Sequence, residues 1–159
     1  MSAGMATEIE RKYLVRGDAW RSRADRHVRY RQGYLANTGH CSVRVRVGGD
    51  AAHLNVKGAT VGLSRLEFEY PVPLEDAEVM LRELCYGSII EKTRYFVRHL
   101  GQGWEVDVFE GDNAGLVVAE IELAHEAQAV TLPDWVSEEV THEVRYYNSN
   151  LAVTPFSKW

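Results

Sequence analysis

The sequence predicts a mainly β, α+β fold: eight candidate strands in antiparallel succession, able to close into a β-barrel with helices packed outside. Two observations carry the strands. Apolar/polar alternation recurs along most of the chain between turn signals, and one segment alone shows the spacing of a long amphipathic helix. A third observation, the charge on the polar faces of the strands, argues for closure.

The candidate strands cover 6–15, 28–35, 41–48, 52–58, 63–72, 89–99, 103–110 and 116–123. The first contains EIERKYLV at 8–15. As a strand it sets Glu8, Glu10 and Lys12 on one face and Ile9, Arg11 and Tyr13 on the other. Gly48-Gly49-Asp50, Gly101-Gln102-Gly103 and Gly111-Asp112-Asn113 separate consecutive runs, each a good hairpin turn, and short connections imply antiparallel neighbours. In LEDAEVMLRELCYG, Ala77, Met80, Leu81, Leu84 and Cys85 form one helical stripe. Glu75 and Asp76 suit its first turn, and Gly87 suits its C-cap. Further short helices are expected at 16–24, at 124–130 and from Asp134 toward the C-terminus.

At 159 residues and 18.0 kDa, 45% hydrophobic and 26% charged, the chain suits a single domain over 1–159 with a core of its own. Met1–Ala6 is small and unpatterned, with Met5 a candidate natural start. No apolar run approaches the roughly 20 residues that span a bilayer, and no signal peptide opens the chain. A cytoplasmic location is the default expectation. Cys41 and Cys85 stand far apart, with no disulfide or zinc spacing around them. The net charge of −5 argues against a general binder of nucleic acid or of an anionic membrane.

The polar faces carry like-charged doublets: Glu8 and Glu10, Arg44 and Arg46, Glu67 and Glu69, Lys92 and Arg94, Glu105 and Asp107, Glu120 and Glu122, with Lys57 opposite Leu54 and Val56. A solvated outer face is the commonest cause of alternation on any one strand. Solvated faces, however, usually mix Ser, Thr, Gln and Lys, and neighbouring like charges cost stability unless an opposite charge or a ligand faces them. A barrel with its apolar faces outside, under helices, would point all these charges into one lumen. Carboxylates in that number suit hard cations such as Mg²⁺ or Mn²⁺, and Arg and Lys suit phosphate. A polyphosphate with bound metal needs both signs together. His27, His40, His53, His99, His125 and His142 show no ligand-like spacing.

These residues resemble the CYTH domain family, the triphosphate tunnel metalloenzymes. Glu8-x-Glu10-x-Lys12 matches the family's N-terminal signature. The likeness continues through RQGYL at 31–35, Arg44-x-Arg46, VKG at 56–58, LSRLEFEY at 63–70, EKTRY at 91–95, EVDVF at 105–109, EIE at 120–122 and EVTHEVRYYN at 139–148. The chain looks most like short bacterial members that hydrolyse inorganic triphosphate. The resemblance implies an eight-stranded antiparallel tunnel around a linear triphosphate, with Glu8, Glu10, Lys12, Lys92, Glu120 and Glu122 carrying catalysis. Glu8, Glu10 and Glu122 would hold a first Mg²⁺ or Mn²⁺. Lys12, Arg44, Arg46, Lys57, Lys92, Arg94 and Arg145 would hold phosphate oxygens. Glu67, Glu69 and Glu120 would serve a second metal or the attacking water, with Glu120 named as its metal ligand, and Glu105 and Asp107 would position the bases. Val144 departs from relatives with a second basic residue before the position of Arg145, which bears on the C-terminal phosphate contacts.

The implied reaction is metal-assisted hydrolysis of tripolyphosphate to pyrophosphate and phosphate. A class IV adenylate cyclase, a thiamine or nucleoside triphosphatase, and a non-catalytic polyphosphate or nucleotide sensor are the alternatives on the same scaffold. The expected partner is a small-molecule triphosphate, with neither nucleic acid nor membrane, acting on a monomer or homodimer. Trp20, Trp104, Trp135 and Tyr95 are expected to pack in the core or at the rim, and Tyr34 is a weaker candidate for touching substrate.

Overall fold

The computed structural model describes residues 6–159, so the candidate start at Met5 lies outside the described residues. Strands β1 (Thr7–Val15), β2 (Ala24–Asn37), β3 (Cys41–Gly48), β4 (Ala51–Gly58) and β5 (Ser64–Val72) precede helix α1 (Leu74–Glu83). After it come β6 (Tyr86–His99), β7 (Gln102–Phe109), β8 (Val117–Glu122), β9 (Val136–Glu139) and the single turn α2 (Asn148–Leu151). The sheet runs β5-β4-β3-β2-β6-β7-β8-β1-β9, every pair antiparallel, and β5 also pairs with β1. That last pairing closes eight strands into a barrel, the predicted fold.

Closure rests on β1, which changes partner along its length. Thr7, Glu8 and Ile9 pair with Leu66, Arg65 and Ser64 of β5, whereas Tyr13 and Val15 pair with Glu139 and Val136 of β9. Glu10–Leu14 pair with β8 on the other edge. On this edge of β1, β9 therefore takes over beyond the short pairing with β5.

The outer faces hold two apolar clusters. Tyr13, Val97, Trp104, Val106, Ala119 and Ile121 sit under Trp20, Leu123, Trp135 and Val136, so connecting segments cover this flank rather than a helix. On the opposite flank Ala77 and Leu81 of α1 pack on Val45, Val47 and Ala52. A third cluster lies inside one end of the barrel. The inner-face residues Tyr34, Ile90, Phe109 and Val118 meet Val140, Tyr146, Leu151 and Ala152 of the C-terminal segment, which plugs that end.

Three local expectations differ. Over 16–24 the chain forms only the 3₁₀ turn Arg21–Arg23, anchored by Trp20, and 124–130 is turns without a helix. The C-terminal stretch is a short strand and single helical turns that follow the barrel's contour. α1 ends at Glu83, leaving Leu84 58% exposed, because Cys85 and Tyr86 already turn into β6. Gly87 is therefore no helix cap. Its φ of +67° lies inside β6, where a Cβ would collide with the Ala152 carbonyl, which accepts from the Ser88 amide at 2.7 Å. Cys41 and Cys85 are free thiols. Among the described residues no helix is long and apolar enough to cross a membrane.

Candidate active site

Strand alternation carries the charged residues inward. Glu8, Glu10 and Lys12 of β1, Arg44 and Arg46 of β3, Lys57 of β4, Glu67 and Glu69 of β5, Lys92 and Arg94 of β6, Glu105 of β7, and Glu120 and Glu122 of β8 all line one cavity of about 380 Å³. Tyr34 lines it too, although it is almost wholly buried in the plugged end. Trp20, Trp104 and Trp135 are core residues, and Tyr95 packs edge-on against Trp20 at 5.0 Å.

Most cations in the lumen are paired. Asp107, 2% exposed, sits behind the lining and accepts from Lys92 Nζ at 2.7 Å and from Arg94 Nε and Nη2 at 2.7 and 2.9 Å. Arg94 also donates to Glu105 at 2.8 Å and Glu120 at 3.0 Å, and Lys12 lies 3.3 Å from Glu120. Burial disfavours the charged forms of Asp107 and Glu120, yet the cations beside them hold both below the usual carboxylate range. Lys57 contacts Glu8 at 3.1 Å and Glu67 at 3.3 Å.

Arg44 and Arg46 differ. Among the described residues neither has a carboxylate partner, and the buried Nε of Arg44 has no hydrogen-bond acceptor. Arg46 donates through Nε to Gln32 and stacks on Tyr30, 4.3 Å from the ring centre. Burial, together with Arg44 and Arg94, pushes Arg46 down to about 9. Two desolvated guanidiniums side by side are costly unless an anion joins them.

The acids show the complementary condition. Glu10 and Glu122 are cross-strand partners. Burial holds Glu10 well above its usual range, with Glu120 and Glu8 adding to the effect, and Glu122 is raised by burial and then by Glu8, Glu105 and Glu67. Glu8 is turned toward two cations, Lys57 and Arg65, which hold it low against the effect of burial. Among the described residues no three acidic, His or Cys side chains stand close enough to hold an ion as they are. The donor set still fits a hard divalent cation, since it offers carboxylate oxygens crowded by their own charge. To hold one together with Glu10 and Glu122, Glu8 would have to leave Lys57 and Arg65.

Arg145, also expected to hold phosphate, does not line this cavity. The 3₁₀ turn Val144–Tyr146 buries Tyr146 and leaves Arg145 exposed, stacked on Trp159 at 4.4 Å. Arg65 also lines the lumen, on the same strand face as Glu67 and Glu69, where its opposite sign breaks the like-charged pattern. Thr141, Tyr147 and Asn148 of the C-terminal segment also line the cavity, and no periodicity marks them in the sequence.

A closed antiparallel barrel with unpaired guanidiniums and crowded carboxylates in one lumen is an anion-binding tunnel that also wants a cation. The CYTH domain family matches residues 6–153. The inorganic triphosphatase of Acetivibrio thermocellus is 48% identical over 155 residues, 98% of this chain and 99% of that one. That of Nitrosomonas europaea is 40% identical over 153 residues, 93% of this chain and 98% of that one. The crystal structure of the inorganic triphosphatase NE1496 aligns with a TM-score of 0.67 at 35% identity, over 92% of this chain and 94% of that one. The chain belongs to the CYTH domain family, whose triphosphatases depend on a metal ion.

Proposed function

We propose that this protein hydrolyses inorganic triphosphate to pyrophosphate and phosphate, with Mg²⁺ or Mn²⁺ at Glu8, Glu10 and Glu122. The observation that carries the proposal is the adjacent pair Arg44, buried, and Arg46, half-buried, which among the described residues have no carboxylate partner, whereas Lys12, Lys57, Arg65, Lys92 and Arg94 of the same lumen each have one. A phosphate chain supplies the missing anion, and guanidiniums bind it bidentately. The near identity in length to relatives named inorganic triphosphatases supports the same substrate.

Lys12, Arg44, Arg46, Lys57, Lys92 and Arg94 then hold phosphoryl oxygens and stabilise the charge that develops on them. A Glu8 carboxylate holding the ion would leave Lys57 and Arg65, its present partners, free for phosphate. Bound there, a divalent ion supplies charge neutralisation and polarisation of the phosphoryl oxygens. Glu120, kept ionised by Lys12 and Arg94, can orient the attacking water or bind a second ion, with Glu67 and Glu69 nearby on β5. Asp107 and Glu105 fix the directions of Lys92 and Arg94. The plug at the C-terminal end limits how far a chain can enter, which favours a short linear substrate.

The test is phosphate release from tripolyphosphate, ATP and thiamine triphosphate in parallel, with Mg²⁺, with Mn²⁺ and with chelator. Metal-dependent release fastest on tripolyphosphate is the expected result. Faster release from a nucleotide or thiamine triphosphate would reassign the substrate. Binding without release from any of the three would make the protein a sensor.

A further inference from the structure

Beside Thr141 and Tyr147, the C-terminal segment sends one side-chain amide past the apolar plug into the charged lumen. Asn148, the first residue of α2, presents its side-chain oxygen to two donors, Gln32 Nε2 at 2.9 Å and Lys92 Nζ at 3.0 Å. Gln32 is fully buried, and its own carbonyl oxygen accepts from Arg46 Nε at 2.8 Å. A continuous chain of hydrogen bonds therefore runs from the segment to cations on two different strands, β6 and β3.

Each bond leaves its cation in a directed state. The Lys92 ammonium has three donors, of which Asp107 and Asn148 take two, so one remains for a substrate oxygen. Gln32 occupies the Arg46 Nε and so fixes the guanidinium plane, leaving the terminal nitrogens for a bidentate contact. The docking of the segment does not need this amide. Leu151 and Ala152 are buried in the plug, and the Ser88 amide donates to the Ala152 carbonyl.

We propose that Asn148 is a positioning residue for triphosphate, holding Lys92 directly and Arg46 through Gln32 so that both cations address the same stretch of the chain. The proposal rests on the triphosphatase reading above and gives the C-terminal segment a part in the site beyond closing the barrel.

Lys92 also offers a readout that mere packing would not move. Asp107 faces it from β7, Glu120 from β8, Arg46 from β3 and Arg94 from its own strand, with the Phe109 ring 5.4 Å away and the uncharged Asn148 on the remaining side. Burial pushes Lys92 down to about 7 against the pull of Asp107, with Arg94 and Arg46 pushing further. Asn148→Asp sets a carboxylate at the same point and must raise that value. Asn148→Leu removes an acceptor from the ammonium form and must lower it. Asn150→Ala is the control, because Asn150 donates at 2.8 Å to the Val144 carbonyl within the same segment and does not line the cavity.

The experiment is the pH profile of kcat/KM for tripolyphosphate in the wild type and the three variants. The ¹³Cε titration of Lys92 is followed in parallel, and its resonance is assigned by its loss in Lys92→Gln. Lys12, Lys57 and Lys158 are the only other lysines, so the spectrum is simple. We expect Asn148→Leu to raise KM about tenfold or more with a smaller loss in kcat. The alkaline limb and the Lys92 titration should move down in Asn148→Leu and up in Asn148→Asp, and Asn150→Ala should leave both in place. Asn148→Asp preserves shape and decides the matter if the leucine variant does not fold. Both Asn148 variants titrating as the wild type, or Asn150→Ala reproducing the displacement, would overturn the proposal. The NMR arm needs no turnover, so an inactive wild type would sink the triphosphatase reading while the Asn148–Lys92 coupling is still decided.

Discussion

At Glu8 one carboxylate serves two cations, Lys57 at 3.1 Å and Arg65 at 3.2 Å, and Arg65 also stands 3.8 Å from Glu10. Arg65 thus occupies the ground where the carboxylates would meet a divalent ion. Removing it has two opposite expected effects. Arg65→Gln should bind Mn²⁺ several-fold more tightly in the absence of substrate, measured by titration calorimetry, and should raise KM for tripolyphosphate, because the positive charge is then missing from the loaded tunnel. Weaker Mn²⁺ binding in that variant would show that Arg65 organises the acids rather than competing for them. Glu8→Gln should abolish turnover with the fold intact, since it removes charge at nearly constant volume. The sequence made most of this residue set legible, because a charge on the inner face of a strand has to enter the lumen once the barrel closes. It failed at two arginines for different physical reasons. Arg65 breaks the like-charge pattern of its strand, and Arg145 lies on a turn whose orientation is set by Trp159, an aromatic partner at the chain's end.

Elements separate scaffold from site. α1 buries Ala77 and Leu81 against Val45, Val47 and Ala52, on the outer side of the barrel. Leu81→Ala should cost about 2–4 kcal/mol in a denaturant titration, as expected for a buried leucine, while kcat/KM stays near the wild-type value. A large activity loss in a still-folded variant would show that α1 tunes the strands beneath it. The helix itself was plain from its stripe of apolar residues. Its end was not, because the choice between one more turn and the start of β6 is made by sheet pairing, which no local spacing encodes. Gly87 is the clearest instance. Its positive φ reads as a helix cap in sequence, and in the fold it makes room for Ala152, a residue brought beside it only by the finished barrel.

For the molecule as a whole, opposite charges are sorted inside an envelope that is acidic overall, with a net charge of −5. The barrel could be anticipated because like-charged doublets on successive strands need an enclosed counter-ion. The plug could not, since Val140, Tyr146 and Leu151 follow neither strand nor helix periodicity and show their purpose only against Ile90, Phe109 and Val118. Stability should report the sorted charge. Folding raises Glu10 and Glu122 above their unfolded values, so their contribution is complete below the ordinary carboxylate range and is lost as pH rises through the raised values. An ion held by both carboxylates offsets that loss only where they are ionised. Mn²⁺ should therefore raise Tm more at pH 8 than at pH 5, measured by scanning calorimetry at matched ionic strength. Equal rises at the two pH values would place the ion elsewhere.

The partner change along β1 also has a bearing on synthesis. Glu8, Glu10 and Lys12 are synthesised long before β8 and β9, the later strands that pair with theirs. Contacts between residues so far apart in the chain make closure a late event, which waits for β8 and β9. A chain shortened before β8 would hold most of the charged residues that line the lumen and lack the strand that encloses them.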